Sequence, residues 1–167
     1  ATLEYTENDI STIIDDSITI SDVDDIELDS AKVIISSGFT VGDTLILTDP
    51  GTLSSSFVGD GILSISGTAS LSEYQTALRS IAYYSSSEDP TITSFNRTIT
   101  WTVTDANLYE VGAGTSEGVT STINITPETD IPVMSAGATL EYTENDNLSI
   151  IDDSITISDV DDIEIAE

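Results

Sequence analysis

The 167-residue sequence predicts an all-β fold, an antiparallel β-sandwich with one short helix. Three observations predict it. Apolar residues alternate with Ser, Thr and Asn over short runs, and clusters of Gly, Asp, Ser and Pro separate those runs at short spacing. A hydrophobic fraction of 38% is enough to bury a core despite the acidity of the chain. Finally, the chain begins again at residue 138. Residues 138–164 repeat residues 1–27 except that Ile10, Ser11 and Thr12 become Asn147, Leu148 and Ser149. The offset, 138 − 1 = 137 residues, exceeds the length of a solenoid unit and suits an autonomous domain in a string of domains.

Taken in order, the predicted strands cover residues 3–6, 17–20, 32–36, 44–48, 55–58, 62–66, 81–85, 96–104 and 119–126. The strand at 96–104 carries the clearest pattern. Ile99, Trp101 and Val103 point one way and Thr98, Thr100, Thr102 and Thr104 the other, so one face is wet. Along 119–126 the same period turns Val119, Ile123 and Ile125 inward. Trp101 therefore reads as core rather than as a platform for a sugar. One helix is expected over 71–79. Ser70 and Glu73 form a capping box, and Leu71, Tyr74 and Leu78 fall on one face. Arg79 is expected to pair with a carboxylate. The Pro-containing stretch at 127–138 reads as a semi-rigid linker between a repeat at 1–126 and the start of the next at 139–167.

Charge narrows the function. The 31 acidic residues face only Lys32, Arg79 and Arg97, a net charge of −28, which excludes nucleic acid and anionic membrane surfaces as partners. Cys and His are absent, removing disulfides, thiolate or imidazole zinc sites and every mechanism with a His base. No signal peptide, membrane span or lipidation motif is recognisable, as expected of a piece from inside a long secreted protein. No nucleophile elbow, P-loop or metalloprotease motif appears. Paired carboxylates beside Tyr5, Tyr74, Tyr83, Tyr84 or Tyr109 are a weak argument for sugar chemistry, and no enzyme is expected.

Carboxylates sit where strands end: Glu7, the pair Asp22 and Asp24, Asp105, and Asp130 in the linker. Strand ends converge at the poles of a sandwich, where such acids repel unless a cation joins them. Hard oxygen ligands without His or Cys select Ca2+. The two-residue spacing of Asp22 and Asp24 places both side chains on one side of an extended segment. A solvated acidic surface, suited to high salt, is the competing reading. For Asp15, Asp16, Asp43, Asp60 and Asp89 the solvated or turn reading is preferred.

These residues resemble a known family, the cadherin-like domains, which have an immunoglobulin-like sandwich fold. Thr6-Glu7-Asn8 looks like the family's PEN segment. Asp22-Val23-Asp24 looks like its DxD segment, and the strand ending at Asp105 is similar to one carrying a further aspartate. Leu71 to Tyr84 resembles the Y-x-x-A-L-R-x-I-x-Y stretch of bacterial members. The closest likeness is to extender repeats of giant type I-secreted (RTX) adhesins. The linker has fewer Asp and Asn residues than the family's DxNDNxP, and its LDRE segment has no counterpart.

The resemblance implies calcium as cofactor and divides the ligands between junctions. Glu7 and Asp130 would serve the downstream junction with Asp159 and Asp161 of the next repeat, Asp22, Asp24 and Asp105 the upstream one, and Glu144 a third repeat. It also implies adjacent identical repeats as partners, no membrane insertion, and a place on the bacterial cell surface in adhesion or biofilm formation. The alternative it leaves open is a module binding carbohydrate or another such domain. Because Leu140, Tyr142, Ile155 and Ile157 repeat Leu3, Tyr5, Ile18 and Ile20, the tail is expected to replace the first copy in its sandwich or to dock head to tail on a neighbouring molecule.

Overall fold

The computed structural model describes residues 1–107 and 112–161; Tyr109 and residues 162–167 lie outside them. The elements run β1 (Thr2–Thr6), β2 (Thr12–Ile13), β3 (Glu27–Ser37), β4 (Asp43–Leu47), β5 (Ser54–Val58), β6 (Ile62–Ser70), α1 (Leu71–Arg79), β7 (Ile81–Ser85), β8 (Asn96–Asp105), β9 (Val119–Thr126), β10 (Val133–Ser135) and β11 (Thr156–Ser158). The chain divides into two compact units, Ala1–Glu128 and Thr129–Glu167. No helix among the described residues is long and apolar enough to cross a membrane.

The first unit is an all-β sandwich. One sheet has the order β1-β9-β8-β3-β6-β5 and the other β2-β7-β4. Period-two alternation builds the core between them, with Val33 and Ile35 of β3, Leu63 and Ile65 of β6, Ile81 and Tyr83 of β7, and Ile99 and Trp101 of β8 all buried. Trp101 donates its indole N–H to Ser121 Oγ at 3.1 Å, so its one polar atom is satisfied inside. Helix α1 buries Tyr74, Ala77 and Leu78.

Not every pairing is antiparallel. β1 lies parallel to β9, Thr2 opposite Thr122 and Thr6 opposite Thr126. Parallel neighbours need a long crossover, and here nearly the whole repeat supplies it. In consequence β1 and β9 finish side by side.

Several expectations are corrected. Residues 17–20 form no strand, because helix α1 takes their backbone groups. Ile20 N donates to Gln75 Oε1 at 3.1 Å and Arg79 Nε donates to the Ile18 carbonyl at 2.7 Å. Arg79 thus bonds a carbonyl rather than a carboxylate. The capping box is half made: Ser70 Oγ accepts from Glu73 N at 3.2 Å, but the Glu73 carboxylate turns to Thr52, accepting from its backbone N and its hydroxyl. Val119 is 61% exposed rather than inward. The short strand β2 carried no readable period.

Asp43 closes a turn, donating its N–H to the Thr40 carbonyl at 3.0 Å and accepting from Thr40 N at 2.8 Å, but it is not solvated. It is buried against Arg97, whose Nε donates to Asp43 Oδ2 at 2.6 Å and whose Nη2 donates to Oδ1 at 3.3 Å. The guanidinium also donates to the Ser94 and Pro90 carbonyls, both at 2.6 Å. Tyr83 Oη donates to Asp43 Oδ1 at 2.6 Å, and the Tyr83 ring meets Tyr5 edge to face at 4.9 Å. Burial and the Asp43 carboxylate push the Tyr83 phenol well above its ordinary range.

Arg97→Met should strand the Asp43 carboxylate and two carbonyls in the core, destabilising the sandwich by about 3–5 kcal/mol. Urea unfolding measures this. A loss under about 1 kcal/mol, the scale of an exposed pair, would show that the pair does not hold the fold.

Candidate metal centres

At the pole where β1 and β9 end, Glu7 follows Thr6 and donates its backbone N–H to the Thr126 carbonyl at 2.9 Å. Asn8 then takes a left-handed turn, φ 66°. Asp9 closes it: its carboxylate accepts from Thr6 N at 3.0 Å, and its carbonyl accepts from Tyr5 Oη at 2.9 Å. The Glu7 side chain is 3% exposed, and its Oε2 accepts from Glu128 N at 2.9 Å. A Glu88 carboxylate oxygen lies within 4.8 Å of one from Glu7. Sequence reasoning missed Glu88, because nothing along the chain links two residues on loops so far apart.

Asp22, Asp24 and Asp105 lie toward the opposite pole, since β8 runs antiparallel to β9 and ends at Asp105. Asp22 and Asp105 line one cleft of about 310 Å3 with Ser21, Gly114 and Thr115. Asp105 accepts from Asn107 N at 3.0 Å and from Gly114 N at 2.7 Å. A Cβ on Gly114 would stand 2.9 Å from the same oxygen, so glycine permits this approach.

The Asp22 carboxylate is turned back onto its own loop, where Oδ1 accepts from Asp24 N at 3.1 Å and from Asp25 N at 3.0 Å. It is therefore not projected from an extended segment as the spacing implied. The Asp25 and Asp24 amides hold the Asp22 carboxyl below its ordinary range. Its hydrogen bond and negative charge raise Asp24. The structure brings Asp22 and Asp105 into one cleft and pairs Asp24 with Asp22, but these three do not gather their oxygens within 4.8 Å of one another.

In the second unit the linker acid meets the repeated DxD. Asp130 N donates to Asp161 Oδ2 at 3.2 Å, and Asp161 N donates to Asp159 Oδ1 at 3.3 Å. Asp130 Oδ2 and Asp161 Oδ1 are shielded from water with no hydrogen-bond partner. Shielded, unpartnered carboxylate oxygens are costly, and a hard cation is the ligand they fit. The hydrogen bond to Asp159 raises Asp161, as Asp22 raises Asp24. Glu144 sits exposed in a turn built like that of Glu7, with Asn145 at φ 74° and Asp146 accepting from Thr143 N at 2.9 Å.

No family model and no solved structure matches the chain. Over an alignment of 87 residues that covers 48% of the chain, the sequence is 32% identical to halomucin of Haloquadratum walsbyi (strain DSM 16790 / HBSQ001). That stretch spans 1% of halomucin. The similarity is thus to a small part of a very long protein.

The paired aspartates should titrate apart in calcium-free buffer, Asp24 above the ordinary 3.8 and Asp22 below it. The raised Asp24 contributes stability that is fully present below 3.8 and lost as pH rises through its folded value. The lowered Asp22 contributes stability present above 3.8 and lost as pH falls through its folded value. Carboxyl-carbon NMR measures both midpoints, and coincident midpoints would mean that the two do not share a hydrogen bond.

Proposed function

We propose that the chain is a calcium-stiffened extender repeat of a large surface adhesin, one of many copies in series that project a distal binding domain from a bacterial cell for attachment or biofilm formation. The observation that carries this reading is the pair of shielded, unpartnered oxygens on Asp130 of the linker and Asp161 of the next copy of the repeat. Acids at both poles of the sandwich support it, as does the likeness to a short stretch of a very long protein. Calcium shared by residues near repeat ends restricts bending, which turns a string of domains into a strut. The partners are then adjacent copies of the same repeat, in one chain or head to tail between molecules through residues 139–167. A sugar-binding module is less well supported, because Trp101, Tyr5, Tyr74 and Tyr83 are buried and cannot stack on a ligand, which leaves Tyr84, 36% exposed, without a second exposed ring of that set among the described residues.

Calcium should raise the melting temperature. Extracellular calcium modules bind at about 0.1–1 mM, and at about ten times the dissociation constant each independent site adds about 1.4 kcal/mol. Calorimetry in EGTA and in millimolar Ca2+, at matched ionic strength, tests this and separates calcium from an acidic surface that needs only salt. Equal melting temperatures would remove the calcium reading.

A chain of two complete repeats should become shorter in calcium when Asp130→Ala and Asp161→Ala are combined, with each sandwich still folded. Small-angle scattering gives the maximum dimension. A double variant as extended as its parent would mean that these acids do not stiffen the array.

A further inference from the structure

One of the structural differences between the two copies of the repeated segment lies at residues 19–21 and 156–158. In the second, Thr156, Ile157 and Ser158 form β11 and pair antiparallel with β10, Met134 opposite Ile157. In the first, the identical Thr19, Ile20 and Ser21 have no strand beside them among the described residues. Burial alternates there, Ile18 and Ile20 half-buried and Thr19 and Ser21 exposed, as in an extended chain. Helix α1 bonds Ile20 N and the Ile18 carbonyl. Residues two apart in an extended chain present backbone groups to the same side, so those of Thr19 and Ser21 face away from α1. No described residue bonds them there. The segment borders a groove of about 190 Å3 that also includes Trp101, Val103 and the exposed Val119.

A second contact points the same way. In the second copy Asp152 Oδ2 accepts from Gly137 N at 2.8 Å and Ala138 N at 3.0 Å, anchoring the chain between β10 and the repeated segment. In the first copy the equivalent Asp15 Oδ2 lies 3.7 Å from the ammonium of Ala1.

We propose that the open edge at residues 18–21 takes a strand with the sequence of Val133–Ser135, standing one repeat upstream and clamped by Asp15 as Asp152 clamps its own. The strand after each linker then belongs to the sandwich of the repeat that follows. The linker proper shortens to residues 127–132, and tension along the array passes into a strand pair held by α1 through Ile18 and Ile20. The proposal rests on the tandem array of the proposed function and not on calcium.

The test is amide hydrogen exchange in EGTA, so failure of the calcium reading leaves it intact. Ile-Pro-Val-Met-Ser-Ala-Gly, the sequence of residues 131–137, is fused ahead of Ala1 of the full chain. Exchange at Thr19 and Ser21 should slow by about tenfold or more, and proline in place of the fused serine, which stands opposite Thr19 in this register, should abolish the effect. In the unfused chain, Asp152→Ala should speed exchange at Thr156 and Ser158. Unchanged exchange at Thr19 and Ser21, equal slowing by the proline form, or no response to Asp152→Ala would each overturn the proposal. Concentration-dependent slowing in the unfused chain would place a second molecule's strand at the edge and overturn the upstream assignment.

Discussion

The buried pair of Asp43 and Arg97 is the interaction on which the pole carrying Glu7 depends. With only three basic side chains on a chain of net charge −28, one sits in the core, fully removed from water. Such a pair persists only when geometry and further hydrogen bonds offset desolvation. Here Tyr83 and the Thr40 amide complete the carboxylate, and the Pro90 and Ser94 carbonyls complete the guanidinium. These bonds tie β4, β7, β8 and the loop before β8 at one point. Tyr83 carries the constraint onward to Tyr5, and Tyr5 closes the turn holding Glu7. A residue at the surface pole is thereby positioned from inside the core.

The acids at the poles face the opposite situation. Asp22 and Asp105 make no salt bridge with a described residue, and their local geometry manages charge through backbone amides instead. Asp22 takes two amides and Asp105 takes two, and for Asp22 they stabilise the ionised form. Asp24 and Asp161 carry the cost, each raised by hydrogen bonding to the aspartate two residues before it. The sandwich is thus self-sufficient inside and under-neutralised at its ends. That division suits a module whose ends respond to divalent cations while its core remains folded.

The internal repeat separates local from tertiary causes within one molecule. The turn after β1 recurs around Glu144, with the same left-handed Asn and the same Asp closure, although the second copy has no sandwich around it. Its bonds span three or four residues, so the sequence alone specifies it. The helix at Leu71–Arg79, the strand at Ile81–Ser85 and the Ile99 and Trp101 face of β8 were legible for the same reason: short-range period and capping decide them.

Other features required partners distant in sequence. Thr19, Ile20 and Ser21 have no strand partner among the described residues in one copy while the same residues form a strand in the other, because a strand needs a neighbour and no residue contains its own. Asp43 and Asp15 look alike along the chain as acids near turns. Only packing that brings Arg97 to Asp43 across 54 residues distinguishes a core anion from a surface one. Glu88 came near Glu7 by the same route. By itself the sequence determined the repeat, the β class, the helix, the local turns and the hard-oxygen chemistry of the strand ends, all properties of neighbours along the chain. Tertiary structure decided the parallel β1–β9 pairing, the buried ion pair and which acids meet, since burial and Coulomb energy depend on distances that only the closed sandwich sets.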